Sequence, residues 1–221
     1  MDSKITQNYF LLSLNPQKGY YYNMGTEFSY GLLGAILMDL YKANRISLAN
    51  RVVTIVDASP ANARYFDRVL ELLQQKRSMR IGSLISRMGF RANRYKQELA
   101  EQLIQEKLLI KVRKKFLFIP YNRYYPNDRE QRMSIIRRLR DILLRKEQPL
   151  PEEMYLLSLI RITRLFRALS DRRDERSAMR QQLKLIMAHS SDFTNDHQNL
   201  EVLHNAIKRA IMAAHAAKSA H

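Results

Sequence analysis

Seven basic residues in the middle of the chain are the side chains best suited to bind a ligand. They fall into two groups, which are Arg91, Arg94 and Lys96, and then Lys111, Arg113, Lys114 and Lys115. Arginine and lysine donate charge-assisted hydrogen bonds to phosphate oxygens. The chemistry that these residues indicate is therefore electrostatic binding of an anion, rather than the making or breaking of a covalent bond.

The net charge of the chain points in the same direction. The 221 residues contain 38 Lys and Arg against 21 Asp and Glu, which gives a net charge of +17. This charge is concentrated, because residues 76–150 hold 20 basic and 7 acidic residues, a net +13. A basic region of this size favours an anionic partner, either a nucleic acid or a membrane surface.

Residues suited to catalysis or metal binding show no matching pattern. The chain has no cysteine, which excludes thiolate metal sites and a cysteine nucleophile. All five histidines lie in the last 33 residues, where we expect surface or tail positions, and no acidic pair or third ligand joins them at metal-binding spacing. No nucleotide-binding loop or nucleophile elbow is present. We expect no enzymatic activity, no metal site and no cofactor.

The sequence also lacks the pattern of a secreted or membrane-spanning protein. Asp2 and a short apolar run make the N-terminus unlike a signal peptide. No stretch approaches the ~18 apolar residues of a membrane span. We expect a cytoplasmic protein that is soluble, or peripheral on the cytoplasmic face of a membrane.

Hydrophobic periodicity predicts a mainly α fold, a single compact domain over the whole chain with about eight helices and two small β-hairpins. Residues 28–41 (FSYGLLGAILMDLY) are apolar on nearly every side, which is typical of a buried central helix. Gly31 and Gly34 would let other elements approach this helix closely. Residues 8–212 are expected to form the ordered core, and residues 213–221 a frayed tail.

The first predicted hairpin is residues 45–56 (RISLANRVVTIV), which has β-branched runs on both sides of a turn. The second is residues 108–120 (LLIKVRKKFLFIP), with strands at 108–110 and 116–119 and the basic residues in the connection. Helices are predicted at 79–88 and 91–106, before this hairpin. A further helix is predicted to begin with Ser59 as its N-cap and Pro60 at its first position.

The basic region has several interpretations. Two helices followed by a basic hairpin resemble a winged helix-turn-helix, in which Arg91, Arg94 and Lys96 begin the recognition helix on DNA. The region also suits an anionic membrane or an acidic protein partner, or it is an ordinary solvated face. Four basic residues near an anionic bilayer contribute roughly 4 kcal/mol, an affinity of about 1 mM. A membrane role therefore needs more basic residues, apolar insertion, a head-group pocket or several copies of the chain. Phe116 and Leu117 are the candidates for apolar contact, and the basic group at 91–96 is the candidate for further charge.

The order of segments along the chain resembles the Golgi phosphoprotein 3 family. The segments are FLLSLNPQKG, GLLGAILMDLYKANRISL, SPANARYFDRVLELLQQ, ELAEQLIQEKLL and RYYP. The most specific part is the G-L-x-G-x-x-L-x-D-L run at 31–40, followed by Arg45 and Ile46. The resemblance is to the shorter bacterial members, since the long N-terminal arm of eukaryotic members is missing.

The resemblance implies a mostly helical single domain and a peripheral membrane protein. Eukaryotic members bind phosphatidylinositol 4-phosphate at the Golgi and act as adaptors that retain glycosyltransferases. Their equivalent of residues 108–119 is a hairpin that contributes to membrane contact and self-association. The partners implied for this chain are anionic membrane lipids, a protein client and a second copy of the chain.

The head-group site of the family corresponds to four positions in this chain. Met24 stands where the eukaryotic pocket has a tryptophan, and Leu33 stands where it has an arginine. Asn93 and Lys96 stand at two further arginines, and the arginines beside them in the sequence could substitute in part. The resemblance implies generic anionic lipid binding here. The tyrosines at 20–22 either line this pocket or cover the core.

Overall fold

The computed structural model describes residues 4–23, 25–189 and 195–219 of the chain. Nine α-helices and five strands lie in these residues. The helices are α1 (Lys4–Ser13), α2 (Thr26–Lys42), α3 (Arg64–Gln74), α4 (Ile81–Gly89), α5 (Ala92–Gln105), α6 (Arg129–Leu144), α7 (Pro151–Thr163), α8 (Arg173–His189) and α9 (Asn195–Ser219). The strands are β1 (Ile46–Ala49), β2 (Val52–Ile55), β3 (Ser78–Arg80), β4 (Leu109–Phe116) and β5 (Ile119–Pro126). The prediction of a mainly α fold with small β elements is confirmed.

Helix α2 is the central helix of the fold. Its residues 31–40 are all buried, and α1, α7 and α9 pack around it. Gly31 faces the Tyr9 side chain of α1, and Gly34 faces the Ile207 side chain of α9. A Cβ atom at either glycine would overlap these side chains. The close approach that the two glycines predict is therefore confirmed.

The N-terminus of helix α1 is capped by a side chain from another helix. The two carboxylate oxygens of Asp39, in α2, accept hydrogen bonds from the amides of Ile5 (3.2 Å) and Thr6 (2.8 Å). A carboxylate at a helix N-terminus satisfies amides that have no partner within the helix. Because this cap lies 34 residues from Ile5, the local sequence carries no start signal. The sequence therefore predicts no helix at the position of α1.

The first hairpin gains a third strand. Strand β2 pairs antiparallel with β1 on one side and with β3 on the other. The helix predicted at 79–88 is therefore wrong at its start, because Met79 and Arg80 pair with Val53 and Val52 before α4 begins. The first two strands are joined by a turn at residues 50–51, as the β-branched runs on either side predict.

Two other boundaries differ from the prediction. Ser59 does not cap a helix, because its amide and hydroxyl donate to the Asp57 carboxylate at 2.8 and 2.9 Å and close a local turn. Helix α3 begins only at Arg64. At the other end of the chain, residues 213–219 of the expected frayed tail belong to α9.

The second hairpin is longer than predicted, and its turn is elsewhere. Strands β4 and β5 pair from Leu109–Pro126 at the base to Phe116–Ile119 at the end. The two-residue turn between them is Leu117-Phe118. The predicted connection is wrong, because its basic residues lie within β4, alternating between the faces of the hairpin. These residues are Lys111, Arg113, Lys114 and Lys115.

Candidate functional site

The hairpin β4–β5 ends in a cluster of exposed apolar side chains, which we call the tip. Its four residues and their exposed fractions are Phe116 (67%), Leu117 (75%), Phe118 (96%) and Ile119 (68%). Monomeric soluble proteins seldom present four large apolar side chains in succession, and such patches mark interaction sites. The tip is therefore the feature of the hairpin that most needs a functional explanation.

The backbone of the tip is strained. Leu117 and Phe118 have φ angles of 43° and 70°, the left-handed region that a type I′ turn requires at both positions. Asn and Gly are the usual residues there, and a bulky residue costs about 1 kcal/mol or more in this region. Strain of this kind is kept at positions where the side chains serve a function.

Basic residues surround the tip on both faces of the hairpin. The register places Lys111, Arg113 and Lys115 on one face of β4 and Lys114 on the other, because side chains alternate along a strand. Arg123 lies on the Lys114 face, since its partner in the register is Val112. The 18 residues from 109 to 126 thus hold five basic and no acidic side chains. All residues from 113 to 122 are exposed, so this half of the hairpin projects from the rest of the protein.

The base of the hairpin is held by a loop of residues 15–22, which we call the tyrosine loop. The amide of Tyr124 donates to the carbonyl of Gly19 at 3.2 Å. Gly19 has a φ of 64°, and a Cβ atom there would lie 2.9 Å from two ring carbons of Tyr125. Only glycine fits this approach, which fixes the loop against β5.

Three cations lie over the tyrosine rings of this loop and form what we call the cation–tyrosine cluster. Arg123 lies 5.5 Å from the centre of the Tyr20 ring, and Lys18 lies 5.9 Å from it. Lys96 lies 5.8 Å from the centre of the Tyr21 ring. These distances are within the range of cation–π attraction.

Lys96 is the most desolvated of these cations. Its side chain is half-buried, and burial lowers the pKa of its ammonium group. No ion pair joins it to an acidic side chain among the described residues. A half-buried cation without a carboxylate partner is suited to receive an anionic ligand.

The tyrosine loop also covers the core. The Tyr21 ring packs on Phe28 with 4.1 Å between ring centres and contacts the edge of Phe10 at 5.6 Å. Tyr22 packs against the same core. Of the two alternatives for residues 20–22, Tyr21 and Tyr22 fit the covering role, while Tyr20 faces the cations of the hairpin base.

One residue of the expected head-group site lies in the core, and another lies outside the described residues. Leu33 is fully buried at 0% exposure within α2, so the expectation that its side chain lines the site is wrong. The residue packs in the core because the whole run 31–40 is enclosed by neighbouring helices. Met24 lies outside the described residues.

The three basic residues at 91–96, at the start of α5, have different surroundings. Arg94 is two residues from Lys96, so the two side chains point about 160° apart around the helix. Arg94 instead pairs with Glu98 at 3.4 Å. Arg91 lines a separate cleft with Arg87 and exposed Phe90. That Arg91 and Arg94 supplement Lys96 therefore stays a prediction, while exposed Asn93 lies one turn before Lys96 on the same side.

Sequence reasoning missed four residues of this surface. Lys18 and Arg123 each lie within two residues of a tyrosine, and this interleaving of basic and aromatic residues was the available signal. Phe118 and Ile119 were missed because the basic residues were placed in the turn.

The hairpin differs in two ways from the wing of a winged helix-turn-helix. Helices α4 and α5 are followed by a hairpin in the expected order. However, β3 pairs with β2 and not with β4 or β5, so the hairpin stands as an isolated two-stranded arm. Its end is apolar, whereas a wing that contacts phosphates needs polar or basic residues there.

His204 departs from the surface or tail position that the sequence predicts for the histidines. His204 is half-buried rather than at the surface, and its Nδ1 lies 2.9 Å from the Ser158 hydroxyl. Burial lowers the pKa of His204 to about 4, with a further contribution from the basic neighbours Arg161 and Lys208. A catalytic triad would need a carboxylate in their place. No three described His, Cys, Asp or Glu residues are grouped closely enough to hold a metal ion.

None of the described helices is both long enough and apolar enough to cross a bilayer.

Comparison with known proteins assigns the class of this helical domain with its projecting arm. The model of the Golgi phosphoprotein 3 (GPP34) family matches residues 5–214, almost the whole chain. The chain therefore belongs to this family, as the order of its segments predicted. A search of the curated proteins found no match.

Proposed function

We propose that this protein is a non-enzymatic peripheral membrane protein that binds anionic lipid head groups on the cytoplasmic face of a membrane. The observation that carries the proposal is the hairpin. Four exposed apolar side chains form its tip, and five basic and no acidic residues lie along its strands. This arrangement suits an apolar end in the acyl region and cations at the level of the head groups.

The tip supplies the free energy that the charges lack. The four basic residues of β4 alone correspond to an affinity of about 1 mM. Full burial of a Leu, Ile or Phe side chain contributes about 1.5–3 kcal/mol. If each tip residue contributes only about 1 kcal/mol, the dissociation constant falls to about 1 µM.

The head group is proposed to bind at the cation–tyrosine cluster. Lys96 is half-buried there, and Lys18 and Arg123 lie over the neighbouring ring. Family membership favours a phosphoinositide, and phosphatidylinositol 4-phosphate is the lipid to test first. In place of the arginines and tryptophan of the eukaryotic site, the cluster has two lysines, one arginine and two tyrosines.

Two protein partners belong to the same proposal. The apolar tip, within residues 108–119, would also bring two copies of the chain together, because exposed apolar surface is buried by self-association as well as by lipid. Family membership favours an adaptor role with a protein client. Sedimentation of the protein with and without vesicles separates the self-associated form from the lipid-bound form.

Co-sedimentation with vesicles tests the membrane proposal. The lipids are phosphatidylcholine alone, then with phosphatidylserine, then with phosphatidylinositol 4-phosphate, each with and without excess duplex DNA. We expect binding to anionic vesicles that survives DNA competition. Serine at all four tip positions should raise the dissociation constant from about 1 µM towards 1 mM. Serine at Lys111, Arg113, Lys114 and Lys115 should instead weaken binding mainly at low salt.

The matched control is Phe90→Ser, which removes a 91% exposed aromatic side chain outside the hairpin. This variant should bind vesicles as the parent does. The membrane proposal fails if the tip variant binds as tightly as the parent. It also fails if DNA removes the protein from every vesicle, an outcome that would favour the nucleic-acid alternative.

A further inference from the structure

A second basic cleft lies away from the hairpin, between the β1–β2 turn, the start of α4 and one face of α9. Its volume is about 420 Å³. Three arginines from three different elements line it, Arg51 in the turn, Arg80 at the end of β3 and Arg209 in α9. We propose that this cleft binds a phosphate group, carried either by a soluble compound or by a lipid.

The three arginines have no carboxylate partners in the described part of the chain. No Asp or Glu is among the residues that line the cleft. None of the three guanidinium groups forms an ion pair with a described residue, whereas arginines such as Arg138, Arg140 and Arg172 each pair with a carboxylate. Three like charges in one cleft repel one another, and a bound phosphate converts that repulsion into attraction.

The backbone fixes two of these arginines next to each other. Arg80 pairs with Val52, the residue that follows Arg51. The carbonyl of Arg51 accepts the amide hydrogen bond of Ile81 at 2.9 Å, which joins the turn to the first residue of α4. Arg51 adopts this position with a φ of 63°, in a turn that glycine would occupy at lower cost.

Helix α9 provides both room and a third cation. Asn205 and Arg209 lie one turn apart on the face that lines the cleft. The other residues of that face include Ala206, Ala210 and Ala213, whose short side chains leave the space empty.

Gly82 is an independent indication of a ligand. It lies in the first turn of α4, where amides have no partner within the helix, and Arg80 makes no side-chain capping hydrogen bond. A Cβ atom at Gly82 would meet no atom within 4 Å, and its φ is not positive. Neither packing nor backbone conformation therefore requires glycine, which lowers helix stability. Glycine here leaves the backbone open to a phosphate oxygen.

The test is a titration of the ¹⁵N-labelled protein with inorganic phosphate, at constant ionic strength maintained with chloride. The amide signals of Gly82 and Ser83 should shift and saturate. Arg51→Gln, Arg80→Gln and Arg209→Gln should each raise the dissociation constant about tenfold, the loss expected for one charged hydrogen-bond donor. Arg64→Gln, at an exposed arginine outside the cleft, should leave it unchanged.

The variant Gly82→Ala distinguishes a loss of phosphate binding from a loss of folding. Alanine should raise the melting temperature, because it favours the helix, and at the same time weaken phosphate binding. Shifts that fail to saturate, or an equal loss in Arg64→Gln, would overturn the proposal. So would unchanged phosphate binding in Gly82→Ala together with unchanged binding in the three arginine variants.

A second experiment identifies the source of the phosphate and is independent of the proposed hairpin function. The protein with four serines at the tip is added to phosphatidylcholine vesicles containing phosphatidic acid. Residual binding that Arg209→Gln removes supports a lipid phosphate. Phosphate titration of the same protein that saturates without vesicle binding supports a soluble ligand. Failure of both arms overturns the cleft proposal, whereas the hairpin proposal is tested separately by the tip variant and by DNA competition.

Discussion

Leu33 and Lys96 belong to one site in the family pattern, but they lie in different surroundings here. Leu33 is enclosed in the core, whereas the ammonium group of Lys96 lies over the Tyr21 ring at the surface of the domain. Leucine at position 33 therefore packs in the core, while lysine at position 96 keeps a charge near the surface. At the scale of single residues, burial separates two positions that the family pattern groups together.

Leu33→Arg, which restores the family's arginine, should destabilise the protein rather than improve lipid binding. A charge placed at a fully buried position without a partner costs several kcal/mol. We expect the free energy of unfolding in urea to fall by at least about 3 kcal/mol. Leu150→Arg, at a position with 59% exposure, is the control and should change it by less than about 0.5 kcal/mol. A stable Leu33→Arg variant with tighter vesicle binding would show that the α2 position can still face a ligand.

The hairpin β4–β5 is the element that links sequence to the proposed function. Its charges lie along the strands and its apolar residues lie at the turn, which is the reverse of the predicted arrangement. The alternation of side chains then places cations on both faces, so the arm is basic around an apolar end. A hairpin with this distribution of charged and apolar residues can insert into a membrane surface only with its tip first.

Replacing Leu117 with Asn and Phe118 with Gly should stabilise the hairpin and weaken membrane binding. Asn-Gly is the preferred pair for a type I′ turn, so the strain at the two positive φ angles is relieved by about 1–2 kcal/mol. Thermal unfolding should show a higher melting temperature, and vesicle binding at high salt should fall at least tenfold. A variant that is more stable and binds equally well would mean that the turn residues do not enter the bilayer.

At the scale of the whole molecule, the contact between α1 and the central helix makes stability depend on pH. Asp39 makes this contact from a buried position, and burial raises the pKa of its carboxyl to about 6, against the lowering effect of the hydrogen bonds from α1. The folded protein therefore holds a proton on Asp39 between about pH 4 and 6, where the unfolded chain has lost it. The contribution of Asp39 to the free energy of unfolding is therefore full below about pH 4 and decreases as the pH rises to about 6.

Comparison of the parent with Asp39→Asn by urea unfolding should isolate this contribution. The difference in free energy of unfolding between the parent and Asp39→Asn should decrease by about 3 kcal/mol between pH 4 and 7. The comparison is needed because His204, whose pKa is lowered, changes stability in the opposite direction over the same range. At the exposed Asp57, hydrogen bonds from Ser59 lower the pKa, so Asp57→Asn should show no such shrinkage. A difference that is constant with pH would contradict the assignment.

The sequence by itself determined the central helix, the mainly α fold, the concentration of charge and the family. These follow from local patterns, because an apolar run of helical length and a cluster of basic residues can be read without knowing their neighbours. The position of the second hairpin could also be predicted. The position of its turn could not, because bulky apolar residues are unusual in the left-handed conformation that Leu117 and Phe118 adopt.

The tertiary structure alone decided which residues meet. The Asp39 cap on α1 and the arginine cleft join residues far apart in the sequence, and no local signal marks such contacts. The direction of each side chain around α5 separates Lys96 from Arg94, although they are two residues apart. The physical reason is the same in each case: periodicity records whether a side chain is buried, but only packing fixes what lies opposite it.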